Sequence, residues 1–422
     1  MASQKYKAWS VVIASTLAFT VCFMTWMMFA VIGIPIKKAL GLNETQFGLL
    51  IAMPVLTGSL VRLPLGMLTD RFGGRIVFSA VMVSTIIPIY LVSLCIEYWH
   101  YLATSLFVGV AGGTFTVGIS YCARWFPKNQ QGLAMGIFGA GNTGAAVTKL
   151  VAPAIVLAYG WTMVPQVYAV LMLLTAILFW PLTYTDPSHV AGKSVTVREQ
   201  LAALKDPTVW KYCQYYSIVF GGYVALALWM TNYYIGEYGF DLKTAALMAA
   251  AFSIPGGMLR ALGGYFSDRF GAHTTTWWVM LTSMVCLFIL SFPHAKFTLN
   301  SVAGSGPVTF HVGLDATMFT IVMFTLGIVF AIGKASVFKY ISDDYPHNIG
   351  VISGVVGLAG GMGGFLLPIM FGALVDLTGI RSSSFILMFC IVWVSLMWMY
   401  WTDVRALDKA AVTQKKIADV LE

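Results

Sequence analysis

Charge is scarce in this sequence. Only 10% of its 422 residues are Asp, Glu, Lys or Arg, against about 25% in an ordinary soluble domain, so the chain cannot present a normal water-facing surface. Acid is scarcer than base, with 17 Asp and Glu against 25 Lys and Arg. Cysteine is also sparse: Cys22, Cys95, Cys122, Cys213, Cys286 and Cys390 are scattered, mostly through apolar stretches, without a CxxC pair. That spacing excludes a disulfide framework and a zinc site and leaves them as buried small hydrophobes. The histidines, His100, His189, His273, His294, His311 and His347, show no ligand spacing, and neither HExxH nor GxxxxGK[ST] occurs. No metal, no cofactor and no enzymatic activity are expected.

Apolar residues are abundant instead. They make up 59% of the chain, with a mean hydropathy of +0.81, more apolar surface than one globular core can bury, so a lipid bilayer must cover the rest. The chain reads as an all-α polytopic membrane protein. A spanning helix needs about 20 mostly apolar residues, and charge, Pro and Gly punctuate the chain into spans near 8–33, 45–68, 75–96, 99–122, 131–158, 162–184, 209–234, 242–266, 275–293, 316–340, 349–375 and 383–402. These twelve transmembrane helices divide into a six-helix bundle over 1–184, a polar linker over 185–208, a second six-helix bundle over 209–402 and a tail over 403–422.

Lysine and arginine set the orientation. With both termini in the cytoplasm, Lys5, Lys7, Arg71, Arg75, Arg124, Lys128, Lys193, Arg198, Lys205, Lys211, Arg269, Lys339, Arg405, Lys409, Lys415 and Lys416 lie inside, and Lys37, Lys38, Lys243, Lys296 and Arg381 lie outside. This is the positive-inside bias. It accounts for the net charge of +8 without nucleic acid. Arg62, Lys149, Arg260 and Lys334 are left within the spans.

The two halves echo one another. RLPLGMLTDRFG from Arg62 recurs as RALGGYFSDRFG from Arg260, and GIFGAGNTG (Gly136 to Gly144) has a counterpart in GVVGLAGGMGG (Gly354 to Gly364). A duplication with matched glycine-rich helices is the pattern of transporters that hold substrate between the halves near the bilayer midplane.

GMLTDRFGGR, with Gly66, Asp70, Arg71, Gly73 and Arg75, resembles the cytoplasmic signature of the major facilitator superfamily, and GYFSDRFGAH, with Asp268 and Arg269, repeats it. These residues form a gating motif, expected to pair with helix ends and neighbouring charges across the two-bundle interface in one state of the cycle. The finer resemblance is to the nitrate/nitrite porter family, carried by Arg62, Arg260, GIFGAGNTGAAV and GVVGLAGGMGGFLLP. It implies two pseudosymmetric six-helix bundles and a bacterial cytoplasmic (inner) membrane. It also implies a protein that is monomeric or joined to a second transporter unit. The resemblance places Asn142 beside the anion, with Tyr216, Phe220 and Phe115 flanking it and Gly141 and Gly360 in the two glycine signatures.

Arg62 and Arg260 each lie eight residues before a motif aspartate, about 12 Å along a helix. A charge at that depth costs at least about 2.5–3.5 kcal/mol, so a place in a cavity is the default, the alternative being that each Arg only ties helices together through backbone carbonyls. No acidic residue sits mid-span to neutralise them. Two guanidinium forks lacking counter-charge suit a small planar oxyanion; nitrate and nitrite fit, and another small anion such as a short carboxylate is the alternative. Lys149, Lys334 and Lys339 bear on mechanism. A desolvated lysine can load and release a proton, and GKASVFKY (Gly333 to Tyr340) resembles the nitrate–proton symport branch. The other readings are that these lysines tune the potential of the pathway, or that the chain exchanges nitrate for nitrite.

Overall fold

The computed structural model describes residues 2–127, 130–185, 202–293, 295–299, 308–345 and 349–404. Lys128, Lys193, Arg198, Arg405, Lys409, Lys415 and Lys416, most of the linker and the tail from 405 onward lie outside the described residues.

Among the described residues, eleven helices are long and apolar enough to cross a membrane, and one bent pair, taken as one span, makes twelve. In chain order the spans are Gln4–Leu40, Glu44–Phe72, Gly74–Leu94, Tyr98–Arg124, Gln131–Tyr159 and Met163–Leu182, then Pro207–Tyr238, the bent pair Leu242–Met258 with Arg260–Phe270, Ala272–Leu290, Ala316–Asp344, Ile352–Thr378 and Ser383–Thr402. They are numbered one to twelve below. The face on which span one starts, and which carries the two DRFG motifs, is called the basic face.

Several spans are broken, and composition explains where. Pro64 has no N–H to give Leu60, so span two interrupts at Val61 and restarts at Arg62. In span eight Pro255 and the following glycines precede a 47° bend, and the helix restarts at Arg260. Spans four and five tighten into 3₁₀ turns at Val110–Gly113 and Ala140–Thr143, and span seven widens into a π turn at Ser217–Gly222. Each lies in a glycine-rich stretch, where the helix is weakest.

Some expected boundaries move. Span one runs to Leu40 through Pro35 and reaches water at Lys37 and Lys38. Span ten runs four residues further, to Asp344, and span seven to Tyr238. Lys211, in the first turns of span seven, is buried, with its ammonium over the rings of Tyr212 and Tyr340. Nor are all the cysteines buried, since Cys95 is half-buried and Cys390 exposed; in lipid a small apolar thiol needs no protein cover. Between spans nine and ten an unforeseen hairpin forms, β1 (Ala295–Leu299) antiparallel to β2 (Val308–Val312), with Phe297 opposite Phe310.

The face opposite the basic one is closed between the halves. Glu44, at the start of span two, receives Lys37 at 2.6 Å, Arg381 at 3.1 Å and the Asn232 amide at 2.9 Å. Asp376 of span eleven accepts from the backbone N–H groups of Glu44 and Thr45 at 3.0 and 2.8 Å, and so caps span two across the interface. Glycines allow this approach: a Cβ on Gly48 would strike the Pro368 backbone, and one on Gly372 the Glu44 backbone.

On the basic face the ion pairs seen among the described residues of the two motifs lie within each half. Asp70 pairs with Arg124, Lys339 with Asp343 at 2.9 Å and with Asp268 at 3.7 Å, and Arg75 donates to the Trp180 carbonyl. The halves are locked together at the other end in this state. Gly73 and Gly271, which close the two motifs, have φ of 84° and 86°, a conformation that only glycine adopts at no cost. A Cβ on Gly66 would find ordinary contact with Thr116.

Candidate substrate site

The two helix breaks place the two arginines. Arg62 and Arg260 are each the first residue of the second segment of a broken span, where the backbone leaves the helical line. Both are buried, at 3% and 8% exposure, and they flank one ring: the guanidinium carbons stand 5.5 and 5.3 Å from the centroid of Phe115.

Aromatic side chains close a belt around them. Arg62 also lies over Phe220 at 4.9 Å, and Phe220 stacks on Tyr216 at 5.2 Å with planes 5° apart. Tyr216 meets Phe338 edge-on at 4.9 Å, and Phe338 lies 5.5 Å from Arg260. The negative faces of these rings stabilise the guanidinium charges while excluding water.

Each arginine leans on the glycine signature of the other half. Arg62 donates to the carbonyl of Gly357 in span eleven at 2.9 Å. Arg260 passes Gly139 of span five, where a Cβ would lie 3.2 Å from its Cδ. Gly360 backs the Tyr216 and Phe220 rings, leaving no space for a side chain.

The polar groups are not used up by the protein. Arg62 Nε, Arg260 Nη1 and the Tyr216 hydroxyl, all able to donate to an anion, are buried without a partner, and among the described residues neither arginine is paired with a carboxylate. Buried orphans of this kind are costly and mark a place for a ligand. Asn142 spends one amide hydrogen on the Gly139 carbonyl at 2.8 Å, which pins the 3₁₀ turn of span five. The arrangement can hold a small flat anion between two forks and aromatic faces.

The structure thus brings Arg62, Arg260, Phe115, Tyr216, Phe220 and Gly360 together. Gly141 turns its Cβ direction onto Phe19 and the Thr16 carbonyl of span one, where it allows close packing. Lys149 and Lys334 are buried, at 1% and 0% exposure. Lys339 is separated from them, ion-paired to Asp343 and Asp268 at the basic face. Phe338 was not foreseen, although it follows Lys334 by one helical turn in GKASVFKY and so shares its face. Gly139 and Gly357 were visible only as parts of the signatures.

Residues 14–368 match the Major Facilitator Superfamily. The chain belongs to that superfamily. Within it, the chain is 39% identical to the probable nitrate/nitrite antiporter NarK1 of Thermus thermophilus, over 94% of this chain and 92% of that protein. It is 30% identical to the nitrite extrusion protein of Bacillus subtilis strain 168, over 92% and 93% of the two. It is also 28% identical to a probable nitrate transporter, NarT, of Staphylococcus aureus, over 88% and 90%. These likenesses span both halves and place this facilitator with the nitrate/nitrite porters. Among solved structures, a bacterial homologue of the lysosomal transporter Spinster, inward-facing and unoccupied, superposes with a TM-score of 0.68 at 16% identity, covering 94% of this chain and 96% of that one. That match speaks for the fold.

Proposed function

We propose that this facilitator carries nitrate across a bacterial cytoplasmic membrane by alternating access, importing it together with a proton. The observation that carries the anion is the pair of buried arginines that both lie over Phe115, with unpartnered N–H groups and, among the described residues, no carboxylate partner. Each half contributes one fork, so an anion bound between them holds the halves together at the midplane. Both termini lie in the cytoplasm, and the cytoplasmic mouth carries the DRFG motifs.

Proton import is supported by two buried lysines, Lys149 in one half and Lys334 in the other. A neutral amine that takes a proton from the outer solution and later gives that proton up to water on the cytoplasmic side gives a coupled cycle. Exchange of nitrate for nitrite is the second reading, favoured by the name of the relative at 39% identity. The test is nitrate uptake into proteoliposomes. An inward proton gradient without internal anion drives accumulation in a symporter. Dependence of uptake on internal nitrite, with no response to the gradient, overturns symport in favour of exchange. Failure of nitrate under both drives overturns the substrate.

A further inference from the structure

The two buried lysines lie on one cluster of side chains across the interface. Lys149 of span five donates to the Ser253 hydroxyl of span eight at 2.6 Å and points to the Ala145 carbonyl of its own helix at 3.4 Å. Ser253 in turn reaches the Ala249 carbonyl at 3.3 Å. Tyr223 of span seven is fully buried; its hydroxyl donates to the Ser253 carbonyl at 3.1 Å and stands 3.5 Å from the Asn142 carbonyl. Lys334 of span ten lies over the Tyr223 ring, 3.5 Å from its centroid, and donates to the Gly256 carbonyl at 2.6 Å.

Tyr223 and Ser253 thus join the lysines to the turn that carries Asn142. The ring of Tyr223 faces one ammonium, Ser253 holds the other, and the Tyr223 hydroxyl meets the backbone of Asn142. Glycines press the parts together. A Cβ on Gly256 would enter the Tyr223 ring, and one on Gly257 would come within 2.7 Å of the Thr143 backbone N in the 3₁₀ turn of span five. That turn carries Asn142, whose Oδ1 is unpartnered. Among the described residues, Arg260 is the charge that acts on Lys334, and Lys149 is held by two neutral groups, the Ser253 hydroxyl and the Ala145 carbonyl.

We propose that Ser253 and Tyr223 are positioning residues that link the charge on Lys149 and Lys334 to the turn holding Asn142, and so make anion movement depend on proton movement. The inference rests on the symport reading above. The balance is simple. One proton from the outer solution adds to a neutral lysine amine, its ammonium takes the hydrogen-bond geometry seen here, and the same proton leaves to cytoplasmic water after the halves rock. A charged ammonium must donate, so Ser253 Oγ and the Tyr223 face reward the protonated form. Neither residue belongs to the anion site, so removing their polar atoms leaves anion exchange in place.

The test compares wild type with Ser253→Ala, Ser253→Thr and Tyr223→Phe in proteoliposomes. Two drives are used: an inward proton gradient, and nitrate counterflow against internal nitrate without a gradient. The expected result is that Ser253→Ala and Tyr223→Phe lower gradient-driven accumulation at least tenfold, with counterflow within about twofold of wild type, and that Ser253→Thr restores accumulation. Variants that accumulate nitrate as wild type does overturn the inference. So does loss of counterflow in parallel with accumulation, which would make these residues structural. If wild type itself fails to accumulate under the gradient, symport fails in that control and the inference falls with it. Variant failure beside a working wild type leaves symport standing.

Discussion

At the scale of residues, the guanidinium is chosen for shape as much as for charge. Arg62 gives one N–H to Gly357 and keeps Nε unpartnered, and Arg260 keeps Nη1 unpartnered. A lysine at either place supplies the charge without the planar fork. Arg62→Lys or Arg260→Lys is therefore expected to lose one charge-assisted contact, about 1.5–3 kcal/mol, or roughly 10- to 150-fold in nitrate affinity. Quenching of intrinsic fluorescence on nitrate titration reads this directly, and near-normal affinity in either variant would refute the clamp. Gly73 offers a second residue-scale test. Its φ of 84° is strained for any side chain, so Gly73→Ala should lower the melting temperature in detergent, whereas Gly66→Ala, with room around it, should not.

Among the elements, the broken helices were only half legible. Pro64, Pro255 and the glycine runs signal weakness in spans two and eight, but hydropathy alone sees two continuous apolar stretches. That both restarts fall on the two arginines is a product of the duplication, and it became visible only with the backbone in place. The anion site was legible where chemistry is rare for its surroundings, as with arginines in lipid or an asparagine among glycines. It was not legible where the decisive fact is a contact between distant spans. Ser253 is an ordinary small polar residue until Lys149 is found against it, and Phe338 is one phenylalanine among 28. The hairpin Ala295–Val312 escaped because no span pattern bears on a loop.

Span seven starts on a cap that can be tested. Asp206 accepts from the Thr208 N–H at 2.9 Å and from the Tyr345 hydroxyl at 2.5 Å. The bond from Tyr345 holds the Asp206 carboxyl below its usual range, helped by the backbone N–H of Thr208. Burial and that same bond push the Tyr345 hydroxyl up to about 12. A lowered carboxyl stabilises the fold above its ordinary value near 4 and ceases to do so as pH falls through the lower folded value. Asp206→Ala should cost about 0.5–2 kcal/mol at pH 7, and its melting temperature should converge on wild type as the solution is acidified. A difference that persists unchanged in acid would show that the carboxylate is not what caps the helix.

The whole molecule is held by its outer lock. Lys37, Glu44 and Arg381 are only 19%, 12% and 26% exposed at their side chains, and half-buried pairs of this kind contribute about 0.5–1 kcal/mol each. Removing the central charge with Glu44→Gln should then shift the balance between closed and open outer faces by roughly five- to thirty-fold. Spin labels at Lys38→Cys and Thr378→Cys, in a Cys390→Ser background, should show a longer-distance population grow in the variant. An unchanged distance distribution would mean that the backbone contacts of Gly48 and Gly372, with Asp376 capping span two, close this face without the ion pairs.

The placement of Arg62 and Arg260 at the joints of spans two and eight has a mechanical consequence. Each half-helix that descends from its joint to the DRFG motif is a lever about 12 Å long, with the guanidinium root at the fulcrum. A swing of about 10° carries the motif end through roughly 2 Å, by that same length, while the arginine Cα barely moves. The mouth can therefore open and shut by flexing these arms while the guanidinium roots stay almost still, so that holding the proposed cargo and unlatching the mouth need not disturb each other.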